Sequence, residues 1–196
     1  MNMYYVLGLE NPGEKYQDTP HNIGGDILEL MYQRYADVFT NRHQQGKAEV
    51  AESYVDGVDM QYIFSGTFMN HSGQNLAHVP KQESDKVIVI HDDIDLPFGQ
   101  IRIAYNRGDG GHNGIKDVVR QLGTKAFIRI RIGVQPFDIL GRPRKPKGGR
   151  AVNNYLVYKR LSKKYRDKYS DLADQVHKAI YTIASEGREK AMNKFN

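Results

Sequence analysis

Apolar positions along this chain follow two periods, and the switches between them mark out the elements. Residues 4–9 (YYVLGL) form a short apolar run that predicts a buried strand, closed by the turn formers Asn11, Pro12 and Gly13. Ile23, Ile27, Leu30 and Met31 then recur at helical spacing, with Asn22 near the start. Residues 48–55 and 60–64 predict a hairpin turned at Asp56 and Gly57, and residues 70–79 a short helix halted by Pro80. Residues 86–90 (KVIVI) carry a continuous apolar run after Lys86, as in a central strand covered on both faces, and run straight into His91, Asp92 and Asp93.

Residues 100–105 predict another strand. Ile115, Val118, Val119 and Leu122 form the stripe of an amphipathic helix. Residues 127–132 alternate, with Ile128, Ile130 and Ile132 on one face and Arg129 and Arg131 on the other. An arginine-bearing sheet face needs solvent, a partner carboxylate or a ligand. Residues 141–150, rich in Pro, Gly, Lys and Arg, predict a mobile basic loop, and Val152, Tyr155 and Leu156 a short helix. Leu161, Tyr165, Tyr169, Leu172, Val176, Ile180 and Ile183 mark one face of a long basic C-terminal helix over residues 161–190, its tyrosines read as core packing. Strands alternating with helices around an apolar central strand predict an α/β fold. The expected form is a single-domain three-layer sandwich over residues 1–196, a twisted mixed β-sheet with helices on both sides.

Composition narrows the chemistry. A chain of 196 residues buries roughly 70% of its unfolded surface and needs no metal or disulfide to form a core. It has no cysteine, which excludes disulfides, thiolate metal sites and cysteine nucleophiles. No run approaches the roughly 18 apolar residues of a membrane span. The opening stretch lacks a basic leader, so the expected location is cytoplasmic. The formal net charge of +5 is unevenly spread: residues 1–141 hold 13 Lys/Arg and 18 Asp/Glu, and residues 142–196 hold 15 and 5. That asymmetry fits an anionic partner, nucleic acid or membrane surface, and equally a solvated basic helix.

Four segments are denser in polar, turn-forming residues than a fold requires: 9–22, 66–73, 91–98 and 106–114. The first and third are expected just beyond strand ends, where open α/β sheets place their sites. They supply His21, Asp92, Asp93, Asp95 and His112, with the amides of Asn11, Asn22, Asn70 and Asn113. No serine stands in a G-x-S-x-G elbow, and residues 108–114 (GDGGHNG) match neither common nucleotide-binding glycine pattern. What remains is a histidine that activates water, oriented by a carboxylate and assisted by amide donors. His91 also reads as a turn residue, and Asp93 and Asp95 as turn or surface carboxylates. A divalent metal on Asp92, Asp93, Asp95 and His112 stays open on ligand type. So does a metal-dependent phosphoesterase or nuclease, or an RNA-binding module without catalysis.

Five segments, in order, resemble the motifs of the bacterial peptidyl-tRNA hydrolases: GLENPGEKYQDTPHNIG (8–24), GTFMNHSG (66–73), HDDIDLPFGQIRI (91–103), GDGGHNGIKDV (108–118) and FIRIRIGV (127–134). The resemblance spans about residues 4–156. It implies hydrolysis of the ester joining a peptide to the terminal ribose of tRNA, by a monomer with no metal, no cofactor, no membrane and no obligate protein partner. It implies His21 as general base, Asp92 as the residue holding that base, and Asn11 as the amide that discriminates N-blocked substrates. Asn70 and Asn113 match substrate-binding amides, and Tyr16 and Phe68 match contacts to the tRNA end. Met69 and His112 match packing or support, and Arg102, Arg129 and Arg131 match phosphate contacts. The chain departs from the family pattern at Glu10, usually a small or amide residue, and at Pro20, commonly arginine. It departs again at Ala104, often basic, and at VQPF after Gly133, usually glycine-rich.

Overall fold

The computed structural model describes residues 3–196, with Val55 described by its backbone alone. Met1 and Asn2, part of the opening stretch read above, lie outside the described residues. In chain order the elements are β1 (Met3–Gly8), α1 (Ile23–Arg34), β2 (His43–Gln45), β3 (Ala48–Val55), β4 (Val58–Phe64), β5 (Val87–Pro97), β6 (Ile101–Tyr105), α2 (Asn113–Leu122) and β7 (Ile128–Gln135). Then come α3 (Gly149–Tyr158), α4 (Lys163–Arg166), α5 (Tyr169–Glu186) and α6 (Arg188–Phe195). The seven strands form one mixed sheet in the order β2-β3-β4-β1-β5-β7-β6. The joins β1–β4, β1–β5 and β5–β7 are parallel, and the outer joins are antiparallel.

The two-residue period of a strand divides the apolar runs between two layers. Ile88 and Ile90 face α1 and α5, where they meet Ile23, Ile27, Met31, Leu172, Val176 and Ile180. Val87 and Val89 face the opposite layer, with Ile115, Val118 and Leu122 of α2 and with Met69 and Leu76. A strand with apolar side chains on both faces has to be covered on both, which is why KVIVI lies mid-sheet.

Three elements differ from the pattern-based expectation. The segment expected as an α-helix over residues 70–79 is a 3₁₀ run, Met69–Leu76, kinked at His71. Ser72 Oγ donates to Met69 O at 2.8 Å, and Asn75 Nδ2 to Ser72 O at 3.1 Å. Such side-chain bonds take carbonyls from the α-helical ladder. The acidic segment expected beyond the end of a strand lies inside β5 instead, because β7 pairs with it through Asp93 and, after a register shift, again at Pro97. The basic stretch expected as one helix over 161–190 is three helices. Gly187, at φ 89°, breaks the second junction. At the first, a turn lets Tyr165 pack on Phe98 while Tyr169 reaches Asp26.

Glycine sets how closely α1 approaches the sheet. A methyl group on Gly24 would lie 2.3 Å from Ile90 O, and one on Gly8 would lie 2.7 Å from Gly24 O. Gly25 N–H donates to Leu9 O at 3.1 Å. Backbone rests on backbone here, and that contact carries the 3₁₀ turn Pro20–Asn22 onto the C-terminal half of β5.

Candidate active site

His21, buried in the turn before α1, meets Asp92 of β5 although 71 residues separate them. His21 Nδ1 lies 2.7 Å from Asp92 Oδ1, and His112 Nε2 lies 2.9 Å from the same oxygen. His112 is the N-cap of α2, and its Nδ1 accepts from Gly114 N and Ile115 N at 3.1 and 3.3 Å. Those backbone donors occupy the Nδ1 lone pair. The proton of the neutral ring therefore sits on Nε2, and His112 donates to Asp92.

Burial alone would raise the Asp92 pKa, but the two imidazoles facing it hold the carboxyl well below the ordinary carboxylate value. A charged carboxylate only accepts, so His21 also presents Nδ1–H and keeps its Nε2 lone pair toward the cleft. For His21, burial lowers the pKa, yet the charge and hydrogen bond of Asp92 outweigh it and the net shift is upward. His91, expected as a turn residue, lies buried in β5 with Nδ1 2.7 Å from Asp92 O. Burial and the nearby His112 push its pKa well below the usual imidazole value, so it stays neutral.

These residues line a cleft of about 780 Å³ with Asn113, Arg129, Arg131, Lys145 and Asn153. Asn113 is exposed at the first position of α2. Arg131 Nε donates to Asp93 at 2.7 Å, and Asp95 accepts from Lys145 at 2.5 Å. Arg129 is buried and holds the carbonyls of Arg107 and Gly108, which makes it a brace for the glycine-rich loop. Arg102 is not brought to the cleft: from edge strand β6 it donates to the carbonyl of Asn196.

A second group lies outside that cleft lining. Asn11 Oδ1 accepts from Met69 N at 2.9 Å, and the Asn22 side chain bridges both backbone groups of Asn11 at 2.9 Å. With Oδ1 so engaged, Asn11 Nδ2 is left to donate outward. Tyr16 and Phe68 approach edge to face at 6.3 Å, and Asn70, two residues after Phe68, is exposed. Met69 joins the two groups, since a methyl on Gly114 would meet its sulfur at 2.6 Å. Sequence reasoning missed the bracing part of Asn22. It also gave His112 no specific task, because histidine is not among the favoured N-caps and the pattern carries no signal for it.

The metal cluster considered from ligand type is not assembled, since Asp93 and Asp95 are spent on cations. The ligand atoms of His21, Asp92 and His112 do lie within 4.8 Å of one another. The fixed tautomer of His112, however, points a proton, not a lone pair, at that space.

Fold and site together define an α/β protein with a buried His–Asp pair at the C-terminal end of a parallel sheet core, an arrangement able to polarise a water molecule. The family profile described as peptidyl-tRNA hydrolase matches residues 5–196. The chain is 35% identical to the peptidyl-tRNA hydrolase of Clostridium perfringens over 198 aligned residues, covering 99% of this chain and 97% of that one. It is 34% identical to the Chloroflexus aggregans protein of the same description, covering 99% of each. A crystal structure of the peptidyl-tRNA hydrolase from Acinetobacter baumannii superposes with a TM-score of 0.82 at 25% identity, covering 100% of this chain and 95% of that one. The chain belongs to the peptidyl-tRNA hydrolase family.

Proposed function

We propose that this protein hydrolyses the ester between a peptide, or an N-blocked amino acid, and the terminal ribose of tRNA, releasing both intact. The observation that carries the reading is the His21–Asp92–His112 arrangement, in which one carboxylate receives two N–H donors and one imidazole keeps an open Nε2 facing the cleft. His21 Nε2 removes a proton from water as the water oxygen attacks the ester carbonyl carbon. Asp92 stabilises the imidazolium that forms. Amide donors, with Asn113 the candidate in the cleft, hold the oxyanion of the tetrahedral intermediate. Its collapse breaks the bond to the ribose oxygen, which takes the proton back from His21. Asn11 Nδ2, left free by the Oδ1 bond to Met69 N, donates to the acyl amide of a blocked substrate, with Asn70 as a second substrate-binding amide. Tyr16 and Phe68 offer rings to the RNA end, and Arg131 and the basic C-terminal region offer phosphate contacts. The reading needs no metal or cofactor and is complete in one chain. Among the described residues no helix is long and apolar enough to cross a membrane. The proposed location is the cytoplasm, where the substrate is made.

The deciding experiment gives the purified protein an N-acetylated aminoacyl-tRNA beside its unblocked counterpart. Free tRNA and blocked amino acid are expected from the first alone, and turnover should persist after exhaustive chelation. Equal hydrolysis of both, or none of either, would refute the reading.

A further inference from the structure

We propose that residues 137–143, with the cations that follow them, form a contact for the RNA body of the substrate, outside the cleft that holds His21. This rests on the reading above. After β7 the chain folds back so that Phe137 pairs antiparallel with Pro143. Asp138 N–H donates to Arg142 O at 2.9 Å, and Gly141 N–H to Asp138 O at 3.0 Å. Asp138 Oδ1 accepts from Leu140 N at 2.9 Å and from Arg142 N at 3.0 Å. At the base, Arg144 N–H donates to Pro136 O at 2.8 Å and Phe137 N–H to the Tyr165 hydroxyl at 3.2 Å. This well-bonded turn presents Ile139 fully exposed and Leu140 68% exposed. A single exposed aliphatic is ordinary, but two adjacent ones held out by a bonded turn mark a contact surface.

The surroundings identify the occupant. Arg144, Lys147 and Arg150 are exposed and make no ion pair among the described residues. A polyanion with apolar faces suits both features, and RNA has phosphates for the cations and ribose and base faces for the aliphatic pair. The direction of the chain favours RNA over an anionic bilayer. Lys145, Pro146, Gly148 and Gly149 line the cleft itself, so a strand lying along these cations leads toward His21. A bilayer in the same place would cover the cleft mouth, and two side chains are far less than the apolar face a surface helix inserts. The turn begins at Phe137, the last residue of the VQPF stretch at which this sequence leaves the family pattern.

Ile139→Ser with Leu140→Ser tests the tip without disturbing the core, since neither side chain packs in it. Binding of deacylated tRNA is measured by fluorescence anisotropy, and turnover on a short N-acetyl-aminoacyl oligonucleotide ending in CCA. The double variant should bind tRNA roughly five- to twentyfold more weakly and cleave the oligonucleotide at the wild-type rate. Arg144→Ala with Lys147→Ala should reduce the slope of log Kd against log salt by roughly 1 to 2. Unchanged tRNA affinity in the tip variant overturns the proposal. So does an equal loss on both substrates, which would make the tip a structural element. Binding to phosphatidylserine vesicles that the tip variant loses, with tRNA affinity intact, would give the surface to a membrane. If the wild type binds tRNA through the tip but cleaves neither substrate, the hydrolase reading fails and the contact stands.

Discussion

Two carboxylates stand on neighbouring strands, Asp92 buried within β5 and Glu10 partly buried just past β1, and they respond to burial in opposite ways. Asp92 is 3% exposed and held well below the ordinary carboxylate pKa, because two imidazole N–H groups meet one of its oxygens. Glu10 packs over Gly25 and has its pKa raised to about 7 by burial and by Asp26 and Glu29, against the opposing pull of Arg42. Asp26 is likewise raised to about 7, by burial and Asp18. What decides the charge of a buried acid here is the set of donors around it. The β5 end is built to keep a charge, while at the β1 end a charge accumulates only as the pH rises.

Of the groups at these two carboxylates, His21 should be the most sensitive to substitution. His21→Ala should lower the single-turnover rate on N-blocked aminoacyl-tRNA by about 10²–10⁴-fold, with tRNA binding largely kept. Asp92→Asn should lower it by about 10²-fold or more and move the acidic limb of the rate profile. Because the His21 pKa lies above its ordinary value, activity in the wild type should fall as the pH drops through a point above about 6.5. Without the Asp92 charge, burial dominates and the limb should shift to lower pH; a limb that stays put would mean that Asp92 does not set this base.

Glu10→Gln probes the other end through stability. The folded pKa of Glu10 exceeds the unfolded value of about 4.3. Its burial is therefore harmless below that value, grows costly as the pH rises from there to about 7, and stays fully costly above. The variant should be more stable by about 2 kcal/mol at pH 8 and nearly unchanged at pH 4, read from urea midpoints. The smallest and sharpest test separates the two bonds of His112. Asn at 112 can cap α2 but cannot reach Asp92, whereas Gln can reach Asp92 but caps poorly. His112→Asn should slow turnover by about tenfold at near-normal stability. His112→Gln should retain more activity and lose about 1 kcal/mol of stability.

Much of this architecture is legible in the pattern of side chains. The unbroken apolar run of residues 87–90 and the alternation of 127–132 place β5 and β7, and the stripe from Ile115 to Leu122 places α2, because such patterns are local signals. His21 and Asp92 meet across 71 residues, a distance no local pattern spans, and only the ordered family motifs join them. The 3₁₀ run at Met69 is missed because Ser72 and Asn75 act through individual hydrogen bonds, which leave no period. The place of Arg102 is likewise set by a contact remote in sequence. It faces Arg131 across the β6–β7 pair, but on the edge strand the C-terminal Asn196 claims it.

Gly24 carries no chemistry, yet the contact it makes with the Ile90 carbonyl bears on how this protein can be altered. Replacing a helical glycine by alanine is a common route to thermostability, worth about 0.4–1 kcal/mol where the backbone allows it. Here the added methyl would lever α1 away from β5 and carry the turn bearing His21 with it. A mutational scan would then record a position as intolerant as His21 or Asp92, with every polar side chain of the site still present. The spacing of His21 and Asp92 is thus guarded by an atom the sequence leaves out.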